Sequence, residues 1–217
     1  MAGVSAASDT QPRRRVRSRR GEGELLREEI LAAAERLLIE TSDESALSIR
    51  AIAAAVGVTP PSIYLHFADR NDLVFAVCER QAEQVDRAME EEARDGSDPW
   101  DRIRRRGLAY LRWGLDNPEH YRILMMTRPE ATPERFVDQR LADTSGLGEV
   151  AQDIAAAAAG GLIAAVADPV REAELLWIII HGMVSMLIAK PEFPFGRPED
   201  LYDAMFEMVF RGLAPRD

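Results

Sequence analysis

The sequence predicts an all-α chain: an N-terminal three-helix head holding a helix-turn-helix, then a C-terminal helical domain, about nine helices in all. Helical periodicity is nearly continuous over the 217 residues, broken by Pro and Gly, and no strand-like alternation runs long enough to build a sheet. Residues 47–72, LSIRAIAAAVGVTPPSIYLHFADRND, set two short apolar-faced segments on either side of a Gly-centred turn. Of two stretches near the C-terminus, residues 175–188 are apolar nearly all round, which requires cover on every side, and residues 201–210 have a very wide apolar face.

In chain order, residues 11–20 (QPRRRVRSRR) carry six arginines and no acid, too charged to fold alone. A first helix spans about 24–40, with Leu26, Ile30, Leu37 and Leu38 on one face. Ser48 is an N-cap for the next, whose Ile49, Ile52, Ala53 and Val56 recur at helical spacing. Gly57 falls where that helix must turn to positive φ. Thr59 caps a second short helix with Pro60 at its first position, and Ile63 and Phe67 are its inward residues. Asp69 and Asp72 form a box-like cap for a long helix that ends at Asp95-Gly96-Ser97-Asp98-Pro99. Further helices follow from Trp100, after Pro118, around Ala155, and from Pro169 and Pro198.

A hairpin of this kind fits the DNA major groove, the second helix lying in the groove while the first crosses the phosphates. An ordinary αα-hairpin would share the Gly turn, and the residues after it separate the two. Tyr64 and His66 flank the inward Ile63 and Phe67, so they project outward and supply phosphate donors. Arg70 stands in the first turn of its helix, where the macrodipole disfavours a cation unless a phosphate sits there too.

The stretch from residue 26 to 80 resembles the N-terminal domain of TetR-family transcriptional regulators, its AIAAAVGVTPPSIYLHFADRNDL matching the family's helix, Gly turn, Tyr-x-His-Phe and Asp-Arg-x-x-Leu pattern. The resemblance implies that Ser48, Thr59, Tyr64, His66 and Arg70 hold phosphates and that Arg50, Pro61 and Ser62 face base edges. The paired Pro60 and Pro61 depart from the more polar residues common in the family, leaving apolar contacts there and Arg50 as the bidentate reader of guanine. Arg15, Arg17 and Arg19 of the N-terminal arm then reach an adjacent minor groove, or else serve only as a solubilising tail. The C-terminal half is similar, more diffusely, to the WHG-type branch of the family, in Asn117-Pro118-Glu119-His120-Tyr121-Arg122 and in Asp168-Pro169 through Trp177, His181 and Gly182.

A formal charge of −10 argues against nucleic acid for the chain as a whole, but from residue 81 onward there are 25 acids against 16 bases, so the acidity lies beyond the head. Cys78 is the lone cysteine, which leaves no intrachain disulfide. Residues 175–189, the longest apolar stretch, are interrupted by His181 and Gly182 and fall short of a membrane span, so a cytoplasmic protein with no membrane contact is expected. No Walker loop, dinucleotide fingerprint or metal-ligand spacing occurs; no catalytic residue, metal or cofactor is assigned and no enzyme is expected. Arg102 with Arg104 to Arg106 reads as a solvated helix face or an anion site.

Tyr110, Trp113, Tyr121, Met125, Phe136, Trp177 and His181 are the candidates to line a mostly apolar ligand cavity, with Met126 and Met183 beside them. The expected organisation is an arm over residues 1–21, a DNA-binding domain over 22–80 with its helix-turn-helix at about 48–67, and a ligand-binding and dimerisation domain over 81–217. The expected partners are a palindromic double-stranded operator, a small-molecule effector, and a second copy docked through the last two helices. The leading expectation is a homodimeric repressor released by its ligand; the alternative is a small-molecule sequestering protein whose head no longer reads DNA.

Overall fold

A computed structural model of the chain describes residues 22–41, 47–126 and 145–213. Arg15, Arg17, Arg19 and Phe136 therefore lie outside the described residues. Among those described, nine helices follow one another: α1 Glu22–Thr41, α2 Ile49–Val56, α3 Pro60–Ile63, α4 Arg70–Ala93, α5 Pro99–Asp116, α6 Pro118–Met126, α7 Ser145–Ala159, α8 Pro169–Ala189 and α9 Pro198–Leu213. The all-α architecture is as the periodicity predicts. The chain divides into two compact units between Val77 and Cys78, a boundary inside α4.

In the first unit, α2 packs on α1 and on α3. Ile30, Leu31, Ala33, Ala34 and Leu38 of α1 are buried, as are Ile52 and Ala53 of α2 and Ile63 and Phe67 after the turn. Ala53 keeps only a methyl at the helix crossing. Gly57 closes α2 at φ 76°, its N–H donating to the Ala53 carbonyl at 3.0 Å while Val58 donates to the same oxygen at 2.9 Å. A side chain at Gly57 meets open space but not an easy backbone. Gly57→Ala is therefore expected to cost about 1–2 kcal/mol of head stability, read as a lower melting midpoint by far-ultraviolet circular dichroism.

The second unit is a bundle in which α5 packs on α6, α7, α8 and α9, and α7 packs on α8. Leu111, Tyr121, Ile154, Ala157, Ala173, Val184 and Tyr202 form its buried centre. A Cβ on Gly114 would lie 2.6 Å from Val184 Cγ1 and 3.0 Å from the Tyr121 ring, so the bare backbone there lets α5, α6 and α8 close together. Asp98 and Asp168 cap α5 and α8, accepting from the N–H of Asp101 at 2.9 Å and Arg171 at 3.1 Å, with Pro99 and Pro169 following in the first turn.

The two C-terminal helices differ from the expectation that both leave apolar faces uncovered. The wide apolar face of α9 is largely satisfied within the chain: Tyr202 and Phe206 are buried, and the Trp100 ring lies 4.9 Å from Phe206 and 5.3 Å from Phe210. On α8, by contrast, Leu175, Ile178, Ile179 and Met186 are exposed. With 21 residues and a mean hydropathy of 1.6 over its most apolar 18, α8 is long and apolar enough to cross a membrane by length and composition, where residues 175–189 alone are too short. Its first turns carry Arg171, Glu172 and Glu174, and its Ala173, Ile180 and Val184 are buried in the bundle.

Candidate nucleic-acid interface and ligand cavity

The head is assembled by short-range caps that the sequence announces. Ser48 accepts from the Ala51 N–H at 3.1 Å to start α2. Asp69 accepts from the Asp72 N–H at 2.7 Å, and Asp72 reaches back to the Ala68 N–H at 2.9 Å, a reciprocal cap shifted by one residue from the usual box. Thr59 precedes α3 as expected, but its hydroxyl makes no cap bond; it lies 3.1 Å from the Ser62 hydroxyl instead. Helix α3 is a single turn that runs on as a turn through residue 66, with the His66 and Phe67 N–H groups both donating to the Ile63 carbonyl.

Around this scaffold Ser48, Arg50, Thr59 and Pro61 are exposed, Tyr64 is 54 % exposed, and Ser62, His66 and Arg70 are half-buried. Arg70 also has a task inside the head. Its Nε donates to the Leu47 carbonyl at 2.7 Å, tying the start of α4 to the residue before the α2 cap. The first-turn cation thus has a structural reason within the head. Arg27 of α1 lies over the Phe67 ring at 5.1 Å and fixes the end of the reading segment. Sequence reasoning missed Leu65, which is 83 % exposed between Tyr64 and His66. Its signal was available, since a leucine flanked by two outward residues one turn past Pro61 has no inward position to occupy.

The second unit holds a cavity of about 400 Å³, within the usual range for small-molecule sites. Of the candidates, Tyr110, Met125, Trp177 and His181 line it. Trp113 and Met183 pack against the core without lining the cavity, and Met126 is exposed. Tyr121 lies one layer behind the wall, its hydroxyl 2.7 Å from His181 Nδ1 and 3.3 Å from the Tyr110 hydroxyl. Burial pushes the Tyr110 and Tyr121 hydroxyls above the ordinary phenol range and holds the His181 imidazole below its ordinary value. The network is therefore a neutral one at pH 7.

Residues on the wall that the sequence reading omitted include Val85, Asp86 and Met89 of α4, Arg106 of α5, and Leu176 and Met205. The spacing of residues 82, 85, 86 and 89 marks one face of α4, but that pattern alone does not tell a cavity from a core. Arg106 corrects the reading of residues 102–106 as a solvated face or anion site. It is only 6 % exposed, and Asp153, equally buried, accepts from both Arg106 Nη1 and Arg102 Nη2. Arg106 Nη2 donates to Glu90 at 3.0 Å and lies 3.4 Å from Glu149. The Arg106 hydrogen bond holds Glu90 below the usual carboxylate range, while burial, followed by the nearby Glu90 charge, pushes Glu149 up.

The comparisons agree with this geometry. Residues 30–77 match the family described as bacterial regulatory proteins, tetR family, and residues 103–213 match the tetracyclin repressor-like C-terminal domain. Among solved structures, a protein of unknown function from Rhodococcus sp. RHA1 is 25 % identical with a TM-score of 0.71, covering 88 % of this chain and 96 % of its own. A TetR-family transcriptional regulator from Pectobacterium atrosepticum is 26 % identical with a TM-score of 0.62, covering 92 % and 99 %. AibR, solved in complex with isovaleryl coenzyme A and operator DNA, shares the fold at 24 % identity and a TM-score of 0.61, over 85 % and 98 %. No curated sequence matches. The chain belongs to the TetR family and is a DNA-binding transcriptional regulator by membership.

Proposed function

We propose that the protein is a cytoplasmic, homodimeric repressor that leaves a palindromic operator when a small molecule fills the cavity of its second unit. The observation that carries the DNA-reading half is a capped helix-turn-helix with Arg50, Pro61, Tyr64 and Leu65 exposed on and just after its two helices. Residues 22–80 serve as the DNA-binding domain, 81–217 as the effector and dimerisation domain of the WHG-type branch, and the arginines of residues 13–20 as a minor-groove arm. Ser48, Thr59, Tyr64, His66 and Arg70 hold phosphates; Arg50, Pro61 and Ser62 face bases, and Leu65 adds an apolar contact. Helix α4 begins in the first unit and supplies Val85 and Met89 to the cavity wall, so it is the element through which an effector alters head spacing. AibR, with both an acyl-coenzyme A and operator DNA bound, supports a fold that takes both partners. A coupling of about 1–3 kcal/mol suffices for a useful switch.

The test is a footprint on the DNA flanking the protein's own coding region. A protected palindrome is expected, and an absence of protection at low ionic strength favours a sequestering protein instead. Arg50→Ala is expected to lose about 1–3 kcal/mol of discrimination at one base pair per half-site while non-specific binding stays intact. Wild-type preference in that variant would remove Arg50 from the reading surface. Arg70→Ala weakens binding to all sequences, and its Leu47 contact means that the head's melting midpoint falls with it.

A further inference from the structure

Resting on the reading of the first unit as the operator-binding head, we propose that Leu65 reads the C5-methyl group of a thymine in the major groove, and that each half-site of the operator carries a thymine there. Among the described residues no large apolar side chain is more exposed than Leu65, at 83 %. It follows the single turn of α3 directly, on the side away from the buried Ile63 and Phe67, and Pro61 and Tyr64 are exposed with it. The His66 and Phe67 N–H groups donate to the Ile63 carbonyl at 2.9 and 3.1 Å, so the backbone stays coiled on either side of Leu65. The side chain is therefore held out by an ordered turn.

Neighbouring groups narrow what this tip can recognise. Pro60 and Pro61 have no N–H to donate. The Ser62 N–H donates to the Thr59 carbonyl at 2.9 Å, and the Ser62 and Thr59 hydroxyls lie 3.1 Å apart, so these polar groups already engage one another. Tyr64 keeps a hydroxyl for a phosphate, whereas a leucine has neither donor nor acceptor. Pressed on a phosphate, or on the polar edge of guanine, cytosine or adenine, Leu65 would strip water and return no hydrogen bond. Only thymine presents an apolar group in the major groove, the methyl at C5. A leucine laid on that methyl removes two apolar surfaces from water together.

Uracil differs from thymine by that methyl alone and pairs with adenine in the same way, so it isolates the contact. The duplex that the full-length protein selects from a random-sequence pool is made once with thymine and once with uracil throughout, and anisotropy measures both affinities. The wild-type protein is expected to lose about fourfold per half-site with uracil, the value of one buried methyl. Leu65→Ala is expected to bind the thymine duplex at least about fourfold more weakly and to be indifferent to the exchange, while Leu65→Met keeps most of the sensitivity. Both variants should melt at the wild-type midpoint, since Leu65 is exposed. Restoring thymine one position at a time then locates the base. Equal wild-type affinity for the two duplexes would overturn the proposal. So would a Leu65→Ala variant as sensitive as the wild type, since another side chain would then read the methyl. A protein that selects no duplex at low ionic strength fails earlier, at the operator reading itself, and this contact falls with it.

Discussion

Asp153→Ala is expected to destabilise the second unit by about 3–5 kcal/mol, because it strands two arginines that share one carboxylate. Asp153 accepts from Arg106 Nη1, from Arg102 Nη2 and, at 2.9 Å, from Arg102 Nε. Arg106 is only 6 % exposed, so the uncompensated guanidinium remains largely buried. Glu90 and Glu149 stay nearby but are half-exposed, and they recover only part of the loss. Trp100, Trp113 and Trp177 all lie beyond residue 77, so urea denaturation followed by tryptophan fluorescence reads the second unit alone. The midpoint should fall with little change in slope, and an unchanged midpoint would mean that the cluster is solvated in the working protein. An apolar replacement of the whole set, Arg102→Met with Arg106→Met and Asp153→Leu, should recover much of the loss, since a removed pair costs less than a broken one.

That cluster also marks the limit of what the sequence discloses. Caps and turns are local, and Ser48, Gly57 and Asp69 perform the tasks their neighbours predict. The head was therefore legible almost residue by residue. The Arg106–Asp153 contact joins positions 47 residues apart, and no spacing rule on α5 separates an arginine facing α7 from one facing water. The cavity was legible by composition only. Aromatic and Met residues on α5, α6 and α8 announce an apolar interior, and four of the seven candidates line the space. Which aromatic stands on the wall and which behind it, as with Tyr110 and Tyr121, depends on helix rotation that periodicity fixes no better than one face. Leu65 fell between the two cases, because α3 ends after one turn and the next residues follow no helical face.

Ile178→Glu is expected to leave a folded protomer that no longer dimerises and loses operator affinity by about a hundredfold or more. Leu175, Ile178, Ile179 and Met186 recur on α8 at intervals that keep them on one side, and Ile178 is 56 % exposed. Gly182 lies within the same stripe with nothing within 4 Å of where its Cβ would be, which permits close approach of another helix. On α9, Met208 is 60 % exposed although the opposite face of that helix is satisfied internally. In the proposed homodimer this stripe is covered by the same stripe of a second copy across a two-fold axis. The introduced carboxylate would then meet its symmetry mate and be desolvated beside a like charge. In the isolated protomer it would face water, so the tryptophan-monitored denaturation midpoint should fall only by the concentration-dependent contribution of assembly. Light scattering after size exclusion measures the oligomer, and anisotropy on a two-half-site duplex measures the coupling, since one head alone forfeits the second half-site's effective concentration. A variant that kept the wild-type mass and operator affinity would place the dimer contact elsewhere and leave the stripe on α8 to another partner.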